Sequence, residues 1–480
     1  MKKIILSVIS CLLLCGILIS CQNKKEDAPC ACLTYDMTLS LEGDVLTGKQ
    51  TVSFNNVFAD NLENAVFHLY PNAYAENAKS KAYTGILPSY GGIEIGSVTV
   101  DGVKVEPTTD EDKQYLFVPL SGAAYGSKQT IDFTYSVTVP ESRLRFGRYN
   151  ENYLLSSFYP QLAPFKDGKF LTDPFSVIGD PLYSQIGDYT VSLACPSSLV
   201  VASGAKLVEK KDGGDLSVYT YSAKNTRDLA FAASPNFNVL SGKECDTEIN
   251  CFFIGDFDGQ ASLDLARSAF KTYTENFGPS GLDVYSVVVA PFDFTGMEFS
   301  GIVIISDAAG EDVADVILHE TAHQWWYNLV GSDPIRSSAL DEGLTSFTSV
   351  YYYLLCGDEE TFNRRIAEAK KVYTQYETLQ KRRKTGMNLR LDGTIYDYTA
   401  YQYTMLMYYK ACMMFNNLYE LYGKDKTTAC LRAFAEKYAH KDATMDDFVS
   451  VCNNVLKTDV SGLIAGWIGD GGTATTFAKA

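Results

Sequence analysis

The residues of this chain that could carry chemistry are concentrated in the segment HETAH, at residues 319–323. The chain has only four histidines, and His319 and His323 lie four residues apart within a predicted helix. Side chains at positions i and i+4 share a helix face, so both imidazoles can bind one metal ion. Glu320 lies about 100° around the helix and faces a water on that ion. Zinc suits this set, because it binds neutral imidazoles and a carboxylate and leaves a fourth position open for water.

A third zinc ligand is available in LDEG, at residues 340–343, on a second predicted helix. Eighteen residues separate Glu342 from His323. A helix, a loop and a second helix of that length can bring Glu342 back beside the two histidines. The sequence therefore predicts one Zn²⁺ per chain, bound by His319, His323 and Glu342, with Glu320 as the general base. A solvated helix face that carries two histidines is the alternative.

The segment HETAHQWWYNLVG, followed at that spacing by LDEGLTSF, resembles the zinc core of the M1 aminopeptidases, a gluzincin family that includes leukotriene A4 hydrolase. Gln324, Trp325, Asn328 and Gly343 match the family pattern, whereas Asp341 stands where Asn is usual. The resemblance implies a multidomain fold, with a saddle-like N-terminal β-sheet domain before a thermolysin-like catalytic domain that changes from α/β to all-α. It also implies a zinc metallopeptidase that removes N-terminal residues from peptides by metal-activated water.

TGMEF, at residues 295–299, resembles the Gly-x-Met-Glu-Asn segment of the same family, whose Glu binds the free α-amine of the substrate. The resemblance implies that Gly296, Met297 and Glu298 bind substrate, although the first and last residues of the segment depart from the motif. An exposed Glu at the end of a strand is the alternative for Glu298.

YYKA, at residues 408–411, resembles the family's Tyr-x-Lys-Gly, in which the first Tyr stabilises the oxyanion. The resemblance implies this role for Tyr408, and Tyr401 is the alternative in a region crowded with tyrosines. A weaker analogy points to Gln161, in the first half of the chain, as a further contact for the substrate's amine.

Three functions remain open on the sequence. An aminopeptidase acts on peptides with a free N-terminus, whereas an endopeptidase on the same zinc core cuts internally. A non-catalytic surface lipoprotein would bind peptides beside a vestigial metal site. Comparing blocked with free-amine peptides separates the first two, and turnover of any fluorogenic peptide excludes the third.

The elements that must position these residues divide the chain into two parts. From Tyr35 onwards apolar and polar residues alternate, as in half-buried strands, and the Asp-Gly pair at Asp101 predicts a hairpin turn. Residues 33–243 are therefore predicted to form a β-rich N-terminal domain. Helical patterns begin at 261–277, and a long helix is predicted through the zinc segment to Leu329. Residues 244–480 are predicted to form the thermolysin-like zinc peptidase domain.

The first 32 residues indicate a compartment. Two lysines precede an apolar run that is short for a membrane span, and LISC at residues 18–21 resembles the lipobox of bacterial lipoproteins. We expect residues 1–20 to be a cleaved signal peptide, Cys21 to be lipidated, and residues 21–32 to contain the lipidated Cys and a tether. The protein is therefore expected to be exported and lipid-anchored to a bacterial cell membrane, on its periplasmic or cell-surface side.

The composition excludes nucleic acid as a partner. The formal net charge is −17, whereas nucleic-acid binding draws its affinity from clustered Lys and Arg. The expected partners are peptide substrates with a free N-terminus, and the membrane through the lipid anchor alone. The twelve cysteines do not indicate a disulfide scaffold, although Cys245 and Cys251 could form one bond. The sequence indicates no oligomeric state.

Overall fold

The computed structural model of the protein describes residues 32–382 and 388–469. The predicted signal peptide, the lipidation of Cys21 and most of the tether lie outside the described residues. Within the described ranges, no helix combines the length and the apolar character needed to cross a membrane.

The strands of the first domain follow from the alternation of buried and exposed residues. In Thr34–Glu42, for example, Tyr35, Met37, Leu39 and Leu41 are buried, and exposed or half-buried residues separate them. Because successive side chains of a strand point to opposite faces, this pattern places one face of the sheet on a core.

Eight strands form the main sheet of this domain. Their order is Lys206–Asp212, Leu216–Thr226, Gly187–Pro196, Thr34–Glu42, Val45–Asn55, Lys128–Thr138, Gly92–Val100 and Val103–Val105. Thr34–Glu42 pairs in parallel with Gly187–Pro196, and the other neighbours are antiparallel. The predicted hairpin is confirmed, since Asp101 and Gly102 have φ angles of 49° and 79° between two paired strands.

Two four-stranded sheets and the two-stranded sheet of Phe165–Lys166 and Lys169–Phe170 complete the first domain, and the four-stranded sheets share its hydrophobic core. One four-stranded sheet contains Gln161–Leu162, Asn61–His68, Tyr115–Ala124 and Thr108–Thr109, and the other Val200–Ser203, Ala230–Ser234, Asn152–Ser156 and Phe146–Tyr149.

A five-stranded sheet connects the two domains. Its order is Phe237–Glu244, Thr247–Ile254, Val284–Ala290, Ile302–Ser306 and Gly296–Phe299. The strand Val284–Ala290 is buried on both faces, because Val287 belongs to the core of the helical domain and Val288 to the core of the first domain. The last strand, Gly296–Phe299, lies at the edge beside the helices that carry the zinc motif.

Seven helices of eight or more residues are described in the second domain. They are α1 (Gly259–Phe277), α2 (Val313–His323), α3 (Ser338–Leu355), α4 (Glu359–Arg382), α5 (Ala411–Tyr438), α6 (Met445–Leu456) and α7 (Ser461–Ile468). The helix predicted at 261–277 is confirmed as α1. The side chain of Asp258 accepts a hydrogen bond from the backbone of Ala261 at its start, and Gly278, with φ 97°, ends it.

The helix predicted through Leu329 is present, but it changes type after His323. α2 ends there, and Gln324–Leu329 continues as a π-helix. Three successive side chains in this segment are bound in the interior: Gln324 to Phe299 and Gly301, Trp325 to Gly278, and Trp326 to Thr348. A regular α-helix would spread three consecutive side chains over about 200° of its surface, so the wider turn brings them to partners on several elements.

The disulfide bond considered between Cys245 and Cys251 is not formed. Cys245 is exposed at the turn between two strands, whereas Cys251 is buried opposite Leu240 in the second strand. The intervening residues extend roughly 15 Å at the rise of a strand, well beyond the Cα separation that a disulfide allows. The predicted fold class is confirmed by the order of a multi-sheet β domain and a helical domain.

Candidate active site

The two histidines of HETAH lie on α2 with their rings one turn apart. The Nε2 atoms of His319 and His323 are separated by 3.2 Å. His323 is buried, and the side chain of His319 is 16% exposed, so the pair reaches solvent on the side of His319. Each ring therefore directs its Nε2 atom at the same point in space.

Glu342 reaches that point from α3. Its Oε2 lies 3.3 Å from Nε2 of His319 and 3.6 Å from Nε2 of His323. The loop before α3 is tight because Oδ1 of Asp333 accepts hydrogen bonds from the backbone of Ile335 and Arg336. In this way the eighteen-residue spacing returns the third ligand to the two histidines.

The distances among these three atoms fit a zinc ion. Zinc bonds of about 2.0–2.2 Å in a tetrahedral arrangement place neighbouring ligand atoms roughly 3.3–3.6 Å apart. The electrostatics fit as well: burial lowers the pKa of His319, which favours the neutral ring that binds metal. Nearby carboxylates, including Glu298, raise the pKa of His323 well above its ordinary value against the effect of burial, so this acidic surrounding favours a cation.

A second layer of contacts orients these ligands. Nδ1 of His323 lies 3.2 Å from Oδ1 of Asp341 and 3.2 Å from Oγ1 of Thr345. A donor interaction from Nδ1 leaves Nε2 as the metal-binding nitrogen, and second-layer carboxylates commonly fix histidine ligands in this way. The departure from the family motif at Asp341 thus places a carboxylate behind His323.

Glu320 faces the same space from α2. It is 5% exposed, and its Oε2 has no hydrogen-bond partner among the described residues. Burial raises the pKa of Glu320 to about 8. A divalent cation beside it would act in the opposite direction, so the carboxylate can hold a proton only transiently. These properties suit a general base.

The edge strand Gly296–Phe299 closes one side of the space. A β-carbon on Gly296 would lie 2.2 Å from Oε1 of Glu320, so only glycine leaves the carboxylate in place. Glu298 is 4% exposed, and its Oε2 lies 3.9 Å from Nε2 of His323. The alternative of an exposed Glu at the end of a strand is therefore wrong. Met297 points the other way, and its sulfur accepts a hydrogen bond from Nε of Arg145 at 3.0 Å.

Tyr408 lies at the site and Tyr401 does not. Tyr408 is on the π-helix Thr404–Lys410, and its hydroxyl donates to Oε1 of Glu342 at 2.6 Å. Its ring stacks on His319 with centroids 5.6 Å apart. Tyr401 is 55% exposed and packs edge-on against Tyr376. Of the two candidates for stabilising the oxyanion, the geometry therefore favours Tyr408 over Tyr401.

These side chains line a cavity of about 580 Å³ between the two domains. The first domain contributes Arg145 and the segment 177–180 to its wall, and none of these residues was singled out from the sequence. The side chain of Gln161 does not line the cavity, because Gln161 is buried and donates to the hydroxyl of Tyr159. No local motif marks Arg145 or Asp180, since each depends on contacts with residues far away in the chain.

Residues 262–467 match the family model described as the peptidase family M1 domain. This segment contains every predicted metal and catalytic residue, together with Gly296, Met297 and Glu298.

Curated relatives align at low identity. Aminopeptidase M1-D of Oryza sativa subsp. japonica is 22% identical over 302 residues, 58% of this chain and 34% of the relative. Tricorn protease-interacting factor F2 of Thermoplasma acidophilum is 22% identical over 287 residues, 54% of this chain and 33% of the relative. The aligned part thus spans about a third of each relative's length.

Similarity to solved structures extends over both domains. The crystal structure of an M1 zinc metallopeptidase from Deinococcus radiodurans has a TM-score of 0.68 at 15% identity and covers 95% of this chain and 97% of that chain. At this identity the similarity establishes the fold, and the chemistry rests on the site residues.

Proposed function

We propose that this chain, which carries a peptidase family M1 domain at residues 262–467, is a zinc-dependent aminopeptidase. The observation that carries the proposal is the spacing of 3.2 to 3.6 Å among the ligand atoms of His319, His323 and Glu342. A relative named as an aminopeptidase and a structural neighbour named as a zinc metallopeptidase support it.

The residues around the metal site have separate roles in peptide hydrolysis. Zinc held by His319, His323 and Glu342 would supply Lewis-acid chemistry, which activates water and polarises a carbonyl. Glu320 accepts the proton of the attacking water and passes it to the nitrogen of the leaving amine. Tyr408 donates a hydrogen bond to the substrate oxygen that gains negative charge in the tetrahedral intermediate.

Glu298 supports cleavage at the N-terminus rather than within a chain. Its carboxylate lies 3.9 Å from the ring of His323, so a substrate ammonium bound there places the first peptide bond beside Glu320. A Deinococcus radiodurans structure of the same fold contains a Tyr-Ser-Ala substrate, which agrees with a short peptide as the ligand.

The decisive experiment combines metal analysis with a pair of substrates. We expect about one zinc per purified chain, and much less in His323→Ala and Glu342→Ala, since each variant removes one of three ligands. A fluorogenic leucine amide should be hydrolysed far faster than its N-acetyl form. Full zinc in both variants would refute the metal site. Internal cleavage of acetylated peptides at equal rates would favour an endopeptidase, and no turnover of any peptide would favour a binding protein.

Export and anchoring form a separate part of the proposal. The two lysines, the apolar run and LISC at residues 18–21 support a lipoprotein signal, with lipid attached to Cys21. Metabolic labelling with palmitate should mark the protein, and Cys21→Ser should abolish the label and release the protein from the membrane. An unlabelled, freely soluble wild type would contradict this.

A further inference from the structure

Two buried cysteines face each other between the helices α5 and α6. Cys430 lies in α5 and Cys452 in α6, and each is 0% exposed. A hydrogen bond joins their thiols, which raises the pKa of Cys452 and lowers that of Cys430. Both are unbonded thiols in this structure. The two sulfurs are therefore neighbours in the interior of the helical domain.

The packing of the two helices explains why the thiols meet. Residues 439–444 connect α5 to α6, and so short a connection makes packed helices antiparallel. The rings of Phe434 and Phe448 meet edge to face, with centroids 5.2 Å apart. Cys430 lies four residues before Phe434, and Cys452 lies four residues after Phe448. Because residues four apart share a helix face, the thiols occupy the next turn of the same interface.

The two other buried cysteines of this domain have a different environment. Burial alone raises the pKa of Cys251 and of Cys412, each to about 12. Neither thiol is affected by a second thiol among the described residues. A disulfide requires two cysteines whose β-carbons approach one another, and the interface of α5 and α6 provides such a pair.

The connection between α5 and α6 also contacts the first domain. Asp442 in this segment forms an ion pair with Arg227, and it accepts a hydrogen bond from the hydroxyl of Tyr183 at 2.7 Å. Both partners belong to the first domain. A covalent bond between α5 and α6 would therefore hold together the helical hairpin whose turn contacts that domain.

We propose that Cys430 and Cys452 form a disulfide bond when the chain folds in an oxidising compartment. This bond depends on the proposed export and is independent of the proposed peptidase activity. The two thiols lose two protons and two electrons to an external disulfide such as oxidised glutathione, which becomes two thiols. Exchange needs access to a sulfur, so the bond forms before α6 packs on α5. It closes the loop 430–452, restricts the unfolded chain and so stabilises the folded protein.

Peptide mass spectrometry tests the bond directly. The protein is collected from an oxidising compartment, unfolded without reductant, alkylated and digested. Trypsin cuts at Arg432, Lys437 and Lys441, so peptides 427–432 and 442–457 separate, each with one of the two cysteines. We expect these peptides to be linked, with a mass two hydrogens below the sum of their thiol forms. Alkylated thiols in both peptides, or a link from either peptide to another cysteine, would overturn the proposal.

Two forms of the chain separate this result from the question of export. One form keeps its own residues 1–20, and the other has a cleavable bacterial secretion leader in their place. If the bond forms only with the substituted leader, the proposed export is wrong and the disulfide is correct. If neither form contains the bond although the substituted leader delivers the chain to the periplasm, the disulfide is wrong.

Thermal unfolding measures the effect of the bond on stability. Equilibration with a phosphine reductant should lower the Tm of the oxidised wild type by about 3–6 °C, because the unfolded chain is no longer restricted. A double variant, Cys430→Ala with Cys452→Ala, should show no such change. Cys251→Ala is the matched control, since it removes a buried thiol outside the pair and should respond to reductant as the wild type does. An equal response in the wild type and the double variant would refute stabilisation by this bond.

Discussion

The position of Glu320 and its proton affinity have different causes. Its backbone position follows from the helix that carries the histidines, whereas its proton affinity follows from burial, which raises its pKa to about 8. Glu320→Gln keeps the shape and removes the base. We expect normal zinc content and a rate lowered by about 10²- to 10⁴-fold on aminoacyl amides. Measured activity within tenfold of wild type would exclude Glu320 as the base.

Tyr408 is suited to donate a hydrogen bond at any ordinary pH. Burial and the neighbouring carboxylate of Glu342 raise the pKa of its hydroxyl well above the usual value, so the proton stays on. Tyr408→Phe should keep zinc and lower kcat by about 10²- to 10³-fold with little change in KM, since an oxyanion donor acts mainly in the transition state. Tyr401→Phe is the control and should behave as wild type. The reverse outcome would transfer the role to Tyr401.

At the residue scale, the metal ligands could be predicted from local spacing. Arg145 and Asp180 could not, because their positions depend on long-range contacts. An i, i+4 pair on a helix follows from helix geometry, so His319 and His323 could be assigned from the sequence. Arg145 meets Met297 across 152 positions of the chain, and nothing near Arg145 in the sequence marks that contact. Asp180 was missed for the same reason, because its place in the cavity wall depends on contacts with residues far away in the chain.

The edge strand and α2 approach so closely that one position must lack a side chain. A β-carbon on Gly296 would lie 2.2 Å from Oε1 of Glu320 and 2.7 Å from Cγ1 of Val316. Gly296→Ala should therefore displace the base and lower kcat/KM by about tenfold to a hundredfold, with zinc retained.

The control for this prediction is Gly462 in α7. A β-carbon there would meet no atom within 4 Å, so Gly462→Ala should keep full activity and gain up to about 1 kcal/mol of stability from helix propensity. Activity assays and thermal unfolding of both variants provide the measurement. Equal activity of the two variants would show that α2 and the strand separate more easily than their packing indicates.

At the element scale, periodicity predicted where helices lie but not how they continue. The apolar pattern through HETAHQWWYNL indicates one helix, because a pattern of buried residues does not show whether the backbone hydrogen bonds are of the α or the π type. The turn is wider here because Gln324, Trp325 and Trp326 form hydrogen bonds with partners on three separate elements. Those partners are known only once the tertiary structure is known.

At the scale of the whole molecule, hydrogen bonds as well as the polypeptide chain connect the two domains. Arg227 of the first domain donates to the backbone oxygens of Tyr327 and Lys441 in the second, at 2.6 and 3.0 Å. The next residue, Asp228, accepts from the backbone of Ser300 at 2.8 Å and from the hydroxyl of Tyr327. These contacts fix the edge strand and the π-helix relative to the first domain. The cavity between the domains therefore has a defined shape.

The stability of the molecule should depend on His68, a histidine buried in the first domain. His68 is 4% exposed and stacks on Tyr70 at 4.4 Å, and neither ring nitrogen has a hydrogen-bond partner among the described residues. Burial lowers the pKa of His68 to about 3. In the unfolded chain the pKa returns to about 6.5, so between these values the unfolded state binds more protons and stability falls as the pH falls.

His68→Phe should remove this dependence while keeping the stack on Tyr70. Each pH unit below about 6.5 should cost the wild type about 1.4 kcal/mol more than the variant, which amounts to roughly 3 kcal/mol at pH 4. Denaturant unfolding of both proteins at several pH values provides the measurement. Carboxylates and metal ligands titrate equally in both, so the difference between the two curves isolates His68. Parallel curves from pH 7 to pH 4 would mean that His68 is protonated in the folded protein, and that water or a rearranged side chain reaches its ring.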